Sequence, residues 1–224
     1  MIEFADVRVR LGRRDVLCGI TATLAERRVG VIGANGSGKS TLARLINGLA
    51  LPTSGTVTVR GMDTRRQAAR IRREVGFVFT DPDAQIVMPT VAEDVAFSLR
   101  RRGVPKAEID RRVHDVLARY GLEEHADQPA HQLSGGEKQL LALCSVLVLE
   151  PAVLVMDEPT TLLDLRHSRR IAALLRELPQ QVIVATHDLP LLAGFDRVLV
   201  LDRGKIVADA DPETAIAHYR ALLS

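Results

Sequence analysis

One segment restricts this chain more than any other. Gly33-Ala34-Asn35-Gly36-Ser37-Gly38-Lys39-Ser40 fills the pattern G-x-x-x-x-G-K-[ST] completely. It follows a short apolar run, Val29 to Ile32, and precedes a helical segment from Lys39 to about Leu49. Strand, glycine-rich turn and helix in that order make a phosphate cradle. Successive backbone N–H groups can wrap a triphosphate only where side chains do not intrude. Gly33, Gly36 and Gly38 supply that freedom, and the helix aims its positive end at the anion. Lys39 then offers a compact charge to the outer phosphates, and Ser40 a hydroxyl to Mg²⁺. With Thr41, these eight residues are the expected nucleotide site. A turn that matches by chance is the competing reading. The flanking elements argue against it, as does the scarcity of lysine: Lys39, Lys106, Lys138 and Lys205 stand alone in an arginine-rich chain.

The rest of the chain fits an α/β core. Ile2 to Val9 and Thr56 to Val59 read as strands of an N-terminal β region. Gly76 to Phe79, Val153 to Met156 and Val182 to Ala185 are short apolar runs, as in parallel strands buried on both faces. Ser168 to Leu178 places Ile171, Leu174, Leu175 and Leu178 on one side, the spacing of a crossover helix. Val198 to Leu201, the turn Asp202-Arg203-Gly204-Lys205 and Ile206 to Ala208 read as a closing hairpin, followed by a last helix from Pro212 to Leu223. Residues from about 86 to 150 carry helical periods and few strand signals, so they are expected to form a helical subdomain within a single domain spanning 1–224.

Composition narrows the function classes. With 30 basic and 28 acidic residues the net charge is +2, which gives no general reason to expect a nucleic-acid binder. Arginine clusters at Arg65-Arg66, Arg72-Arg73, Arg100-Arg101-Arg102 and Arg111-Arg112 read as solvated helix faces. Cys18 and Cys144 lack metal-site spacing, and Cys144 reads as a small core residue. The N-terminus is charged from Glu3 onward and lacks an apolar signal core. The longest apolar stretch, near Leu140 to Leu149, falls short of the roughly 20 residues a membrane span needs. Any work at a membrane is expected to go through a partner.

Two further sites carry chemistry. Val153-Leu154-Val155-Met156-Asp157-Glu158 is an apolar strand ending in two acids, at the strand end where open α/β sheets place ligands. Asp157 is expected on Mg²⁺, and Glu158 is expected to orient and polarise the water that attacks the γ-phosphate. Acids that merely meet solvent there are the alternative. Thr186-His187-Asp188 follows another strand, where His187 can hydrogen-bond a γ-phosphate oxygen or the attacking water. His114, His125, His131, His167 and His218 read as surface or packing residues.

Leu133-Ser134-Gly135-Gly136-Glu137 precedes a long apolar helix. Ser134 and Glu137 suit a capping box, and a helix N-terminus behind two glycines is also an anion site. With this segment the chain resembles the ATP-binding-cassette (ABC) ATPases. The P-loop, the LSGGE signature, Asp157-Glu158, Thr160-Thr161-Leu162-Leu163-Asp164 and His187 occur in that family's order over essentially the whole chain. The resemblance implies a P-loop NTPase fold with a RecA-like core, an antiparallel β-subdomain and an inserted helical subdomain. It also implies a head-to-tail dimer with a second ATPase subunit, in which two ATPs are sandwiched. Ser134, Gly135 and Gly136 then bind the partner's γ-phosphate, and Asp164 links the two sites.

Residues 76–86 and 89–97 are similar to the ATPases of energy-coupling-factor (ECF) transporters, and within that group to a biotin transporter's ATPase. This implies uptake of a vitamin or metal ion, a transmembrane coupling protein received near Asp81 to Pro89, a substrate-binding membrane protein, and a place at the cytoplasmic face of the membrane. A soluble ABC ATPase acting on nucleic acid or ribosomes is the alternative. It lacks the usual marks here, a long coiled coil or a second cassette. A P-loop kinase or GTPase would have no use for the signature or His187.

Two positions depart from the family pattern. Thr80 stands where a metal-contacting glutamine is usual, so Thr80 is expected to reach Mg²⁺ through a water, or Gln85 to substitute for it. Leu11 stands where an aromatic residue stacks on the base, leaving Leu11 or Arg13 to do so and relaxing selection against GTP.

Overall fold

The computed structural model describes residues 1–223. The chain runs β1 (Ile2–Leu11), β2 (Arg14–Leu24), β3 (Arg28–Gly33), α1 (Lys39–Ile46), β4 (Ser54–Val59), β5 (Met62–Asp63), α2 (Thr64–Glu74) and β6 (Val75–Val78). It continues through α3 (Val91–Arg101), α4 (Lys106–Tyr120), α5 (Gly135–Leu147), β7 (Val153–Asp157), α6 (Leu165–Glu177), β8 (Gln181–Ala185), β9 (Arg197–Asp202), β10 (Lys205–Ala210) and α7 (Pro212–Leu223).

Two sheets result. The first is antiparallel in the order β2-β1-β4-β5, and the second has the order β10-β9-β3-β8-β7-β6. In the second sheet β9, β3, β8, β7 and β6 are mutually parallel, and β10 closes the edge as an antiparallel hairpin partner of β9. Strand alternation explains why this sheet is buried on both sides. Val29, Val31, Val75, Phe77, Val153, Val155, Ile183, Leu199 and Leu201 join one apolar cluster, with α1 and the antiparallel sheet. Their neighbours Ile32, Val78, Leu154, Met156, Val182, Val184, Val198 and Val200 join the other, with the helices α3 to α6.

β6 and β7 are direct neighbours, Val75 facing Val153, so the helices between them are an insertion into the sheet. Polar caps start those helices. Thr90 with Glu93, and Ser134 with Glu137, form reciprocal capping boxes at α3 and α5. α4 buries Ile109, Val113, Val116, Leu117 and Tyr120, one stripe at helical spacing, and ends at Gly121 with φ 69°. α5 is buried nearly all round, which accounts for its long apolar run. No helix among the described residues is long and apolar enough to cross a membrane. Cys144 lies inside α5, and burial pushes its thiol up to about 12, which suits a core residue.

Several boundaries differ from the sequence reading. α1 stops at Ile46 because Asn47 caps it and Gly48 turns away at φ 68°. α6 begins at Leu165, since the Asp164 carboxylate accepts the His167 N–H and caps it there. α2 escaped the apolar pattern: its buried residues are Thr64 and Ile71, and Asp63 caps it by accepting from Arg65 N and Arg66 N.

Candidate functional site

Parallel strands point their carboxyl ends the same way, and the site gathers at that edge. β3 delivers the glycine-rich loop, the end of β6 delivers Thr80, β7 delivers Asp157 and Glu158, and β8 delivers His187. Gly36 and Gly38 sit at φ 79° and 108°, where a side chain would be strained. A Cβ on Gly33 would lie 2.2 Å from the Leu201 carbonyl oxygen, so close packing against β9 also demands glycine there. Lys39 is 5% exposed, and its Nζ donates to Gly33 O at 2.8 Å and Ala34 O at 3.2 Å. Ala34, Asn35 and Gly36 face solvent, while the buried Ser37 Oγ has no partner. Thr41 lies in the first turn of α1.

The acids connect to this loop. Ser40 Oγ donates to Asp157 Oδ1 at 2.8 Å, and Thr80 Oγ1 donates to the Asp157 carbonyl at 2.9 Å. The Asp157 carboxyl is pushed above the usual range, mainly because burial disfavours its charge, despite the Ser40 hydrogen bond and the nearby Arg44. Glu158 adopts φ 52°, a rare conformation for a residue with a side chain, fixed as its N–H donates to Ala185 O at 2.7 Å. Its carboxylate lies 3.7 Å from Lys39 Nζ and 2.7 Å from His187 Nδ1, and accepts from His187 N at 3.2 Å. Two cations, Lys39 and Arg44, thus face the buried Asp157 and the half-buried Glu158 beside the phosphate loop.

The signature segment is elsewhere on the subunit. Ser134 Oγ is engaged with Glu137 in the capping box, so the donor end of α5 opens to solvent at Gly135, while Gly136 is buried. Asp164 Oδ1 lies 2.9 Å from His167 Nδ1, and a Cβ on Gly136 would meet the His167 ring at 2.1 Å. His167 therefore joins Asp164 to the signature glycine, a placement the sequence reading missed. Arg44, 3.6 Å from Asp157 Oδ2, was missed too. Neither has a motif of its own; only the fold brings them in.

One expectation needs correction. Gln85 does not substitute for the missing glutamine: its Oε1 accepts from Phe79 N at 3.1 Å and its Nε2 donates to Ala142 O at 3.1 Å. Both ends of the amide are spent on backbone. Beside the loop, Arg14 donates to Gly36 O at 3.3 Å. Arg14, Val16, Asn35, Ser37 and Arg203 line a recess of about 330 Å³ there, while Leu11 is 62% exposed.

The segment after Thr80 is fastened to α5 along one stripe. Lys138 Nζ binds Asp83 at 2.8 Å, Ala142 O receives Gln85, and Ser145 Oγ donates to Asp94 Oδ2 at 2.8 Å. Asp94 Oδ1 also accepts from Val87 N and Met88 N at 2.8 and 3.1 Å. The positions 138, 142 and 145 share one helical face.

Comparison with known proteins agrees with this arrangement. The ABC transporter family model matches residues 20–161. The chain belongs to the ABC transporter ATPases. It is an ATPase of the energy-coupling-factor type, as its relatives indicate. It is 50% identical over 221 residues to the biotin transport ATP-binding protein BioM of Rhizobium etli, covering 99% of this chain and 98% of that protein. It is 43% identical to the cobalt import ATP-binding protein CbiO of Syntrophus aciditrophicus, covering 97% and 81%. Among solved structures, cbiO1 of Clostridium perfringens, part of the transporter complex cbiONQ, superposes with TM-score 0.86 at 32% identity, covering 99% and 92%. A dimeric ATP-binding cassette with ADP and phosphate superposes at TM-score 0.84 and 28% identity, covering 95% and 99%. The nucleic-acid or ribosome alternative finds no support in these relatives.

Proposed function

We propose that this ATPase powers an ECF-type importer of biotin from the cytoplasmic face of the membrane. Its partners are a second ATPase subunit, a transmembrane coupling protein and a substrate-binding membrane protein. The observation that carries the chemistry is the convergence of Lys39, Ser40, Asp157, Glu158 and His187 at one sheet edge. The cargo rests on the end-to-end similarity to BioM.

The donors suit a magnesium nucleotide: a hydroxyl, one buried carboxylate and an open loop, with the orphaned Ser37 hydroxyl in the cradle. Ser40, Asp157 and Thr80 would hold Mg²⁺, which supplies charge neutralisation at the phosphates. Lys39 grips the outer phosphates, exchanging loop carbonyls for a stronger charged acceptor. Glu158, held by its backbone and by His187, orients water and accepts its proton as the water oxygen attacks the γ-phosphorus. The bond to the β-phosphate oxygen breaks, leaving ADP and phosphate. His187 steadies Glu158 and faces the γ-phosphate. The first turn of α5 in the second subunit, with Ser134, Gly135 and Gly136, closes the site, and Asp164 bridges the two sites.

A tagged pull-down from detergent-solubilised membranes tests the assembly. Recovery of a polytopic coupling protein, a small membrane protein and bound biotin supports the reading in full. Another bound ligand replaces the cargo, and recovery with only soluble partners overturns the importer.

A further inference from the structure

Gly136 and His167 belong to different parts of the fold. Gly136 stands in the first turn of α5, within the helical insertion, and His167 in the first turn of α6, which connects the core strands β7 and β8. The two meet directly. A Cβ on Gly136 would lie 2.1 Å from His167 Cδ2, 2.3 Å from Cγ and 2.6 Å from Nε2, so the imidazole fills the space a side chain would need. A second contact runs beside it: a Cβ on Gly135 would lie 3.7 Å from the Leu162 carbonyl oxygen. The signature turn and residues 162–167 therefore touch at two places, across the boundary between insertion and core.

The ring is also tethered. Asp164 Oδ1 accepts the His167 backbone N–H at 2.8 Å and lies 2.9 Å from His167 Nδ1. The backbone N–H and then the imidazole hold the Asp164 carboxyl below its usual range. An ionised carboxylate only accepts, so Nδ1 carries the proton and donates. Capping α6 needs the backbone bond alone. The imidazole bond is surplus to that cap, and it adds little stability, because the Asp164 side chain is 65% exposed. What it fixes is direction. It holds the carboxylate to one orientation and keeps the ring from swinging off Gly136. Leu162 and Leu165, apolar and exposed on either side of Asp164, suit a surface that a second subunit covers.

We propose that His167 is a positioning residue for hydrolysis: it ties the Asp164 carboxylate to the signature turn, so that each subunit offers both to its partner's nucleotide as one preformed unit. This rests on the two-subunit site proposed above. Groups ordered before they meet a partner do not have to be ordered on association, and that saving goes into affinity. His167 therefore acts on dimer formation. It touches neither the phosphate loop nor Glu158 of its own subunit, so it leaves nucleotide held there alone. The tether also gives Gly136 a reason to be glycine within its own subunit, since any side chain there displaces a ring that cannot move aside without releasing Asp164.

The test is ATP-driven dimerisation of the purified full chain, followed by sedimentation in the Glu158→Gln background, with ATP affinity and Tm measured in parallel. His167→Ala should raise the dimer dissociation constant by about tenfold, the scale of one charge-assisted hydrogen bond. His167→Phe, which keeps a ring but no donor, should do the same. His167→Asn places an amide N–H where Nδ1 was and should recover part of the loss. ATP affinity and Tm should hold in all three, as in the control His114→Ala, an exposed histidine away from the signature. With Glu158 restored, the ATPase rate of His167→Ala should climb back to the wild-type value as protein concentration rises. Gly136→Ala/His167→Ala should dimerise better than Gly136→Ala alone, because the clash is gone. Unchanged dimerisation in His167→Ala, or a double variant no better than Gly136→Ala, overturns the proposal. So does a matching fall in Tm or ATP affinity, which is what a merely structural histidine would give. If Glu158→Gln alone stays monomeric with ATP, the two-subunit reading falls and takes this proposal with it. If it dimerises and the His167 variants dimerise equally well, this proposal falls alone.

Discussion

Glu158 and Asp157 are adjacent in the chain yet differ in environment, and their variants should diverge. Glu158→Gln keeps the size and the φ 52° backbone but removes the proton acceptor. General-base catalysis contributes ~10²–10⁴-fold, so steady-state ATPase should fall by that order while nucleotide affinity is kept. Asp157 is the opposite case. Burial raises its carboxyl pKa, so in the nucleotide-free chain the charge costs stability at every pH above the ordinary carboxylate range, and the cost vanishes below it. Asp157→Asn should therefore raise the apo Tm at neutral pH, with a gain that shrinks on acidification, and weaken Mg-nucleotide binding. Thermal melts across pH with and without MgATP check both signs. At Gly136 the added methyl of Gly136→Ala meets the His167 ring. Intersubunit closure should suffer more than nucleotide affinity, as equilibrium binding compared with ATP-driven dimerisation would show. The P-loop was legible because its demands are local. His167 and Arg44 were not, because nothing in their own segments marks the partners that folding gives them.

Among the elements, the stripe on α5 is the one with mechanical content. Asp94 accepts three hydrogen bonds while 4% exposed, so its removal leaves the buried Ser145 hydroxyl and two part-buried amides without their acceptor. Each such group costs roughly 1–3 kcal/mol. Asp94→Ala should loosen residues 85–90: the Val87 and Met88 amides should exchange faster with deuterium, while those of β7 should not. Turnover should then lose its response to the membrane partners before basal ATPase falls. The parallel strands were readable as apolar runs bounded by turns. α2 was not, since a helix that buries so little leaves no apolar period to find.

For the whole molecule, the sheet with its two apolar flanks is a rigid plate, and closure is left to units attached at its edges. Nucleotide binding should stabilise the fold with the logarithm of free nucleotide over Kd, by about 2.7 kcal/mol at a hundredfold excess. Lys39→Ala should abolish that shift, as differential scanning with and without ATP would register. The α/β class was legible from short apolar runs alternating with helical periods, whereas the strand order β10-β9-β3-β8-β7-β6 was not, because its neighbours are far apart in sequence. The hydrogen bond from the Arg102 guanidinium to the Arg73 carbonyl at 3.1 Å, which joins the ends of α2 and α3, was not legible either, because neither segment marks the other.

The position of β3 has a bearing on biosynthesis. The strand that carries the phosphate loop is made early, but its two neighbours are β8 and β9. The loop is also braced late: Gly204 N donates to Ser37 O at 3.0 Å, and Gly204 O accepts from Cys18 N at 2.8 Å. A nascent chain that has not yet released its C-terminal hairpin therefore has the motif without the cradle. Chains truncated before β9 should thus hold ATP far more weakly than the full chain, as equilibrium nucleotide binding to such truncations would register.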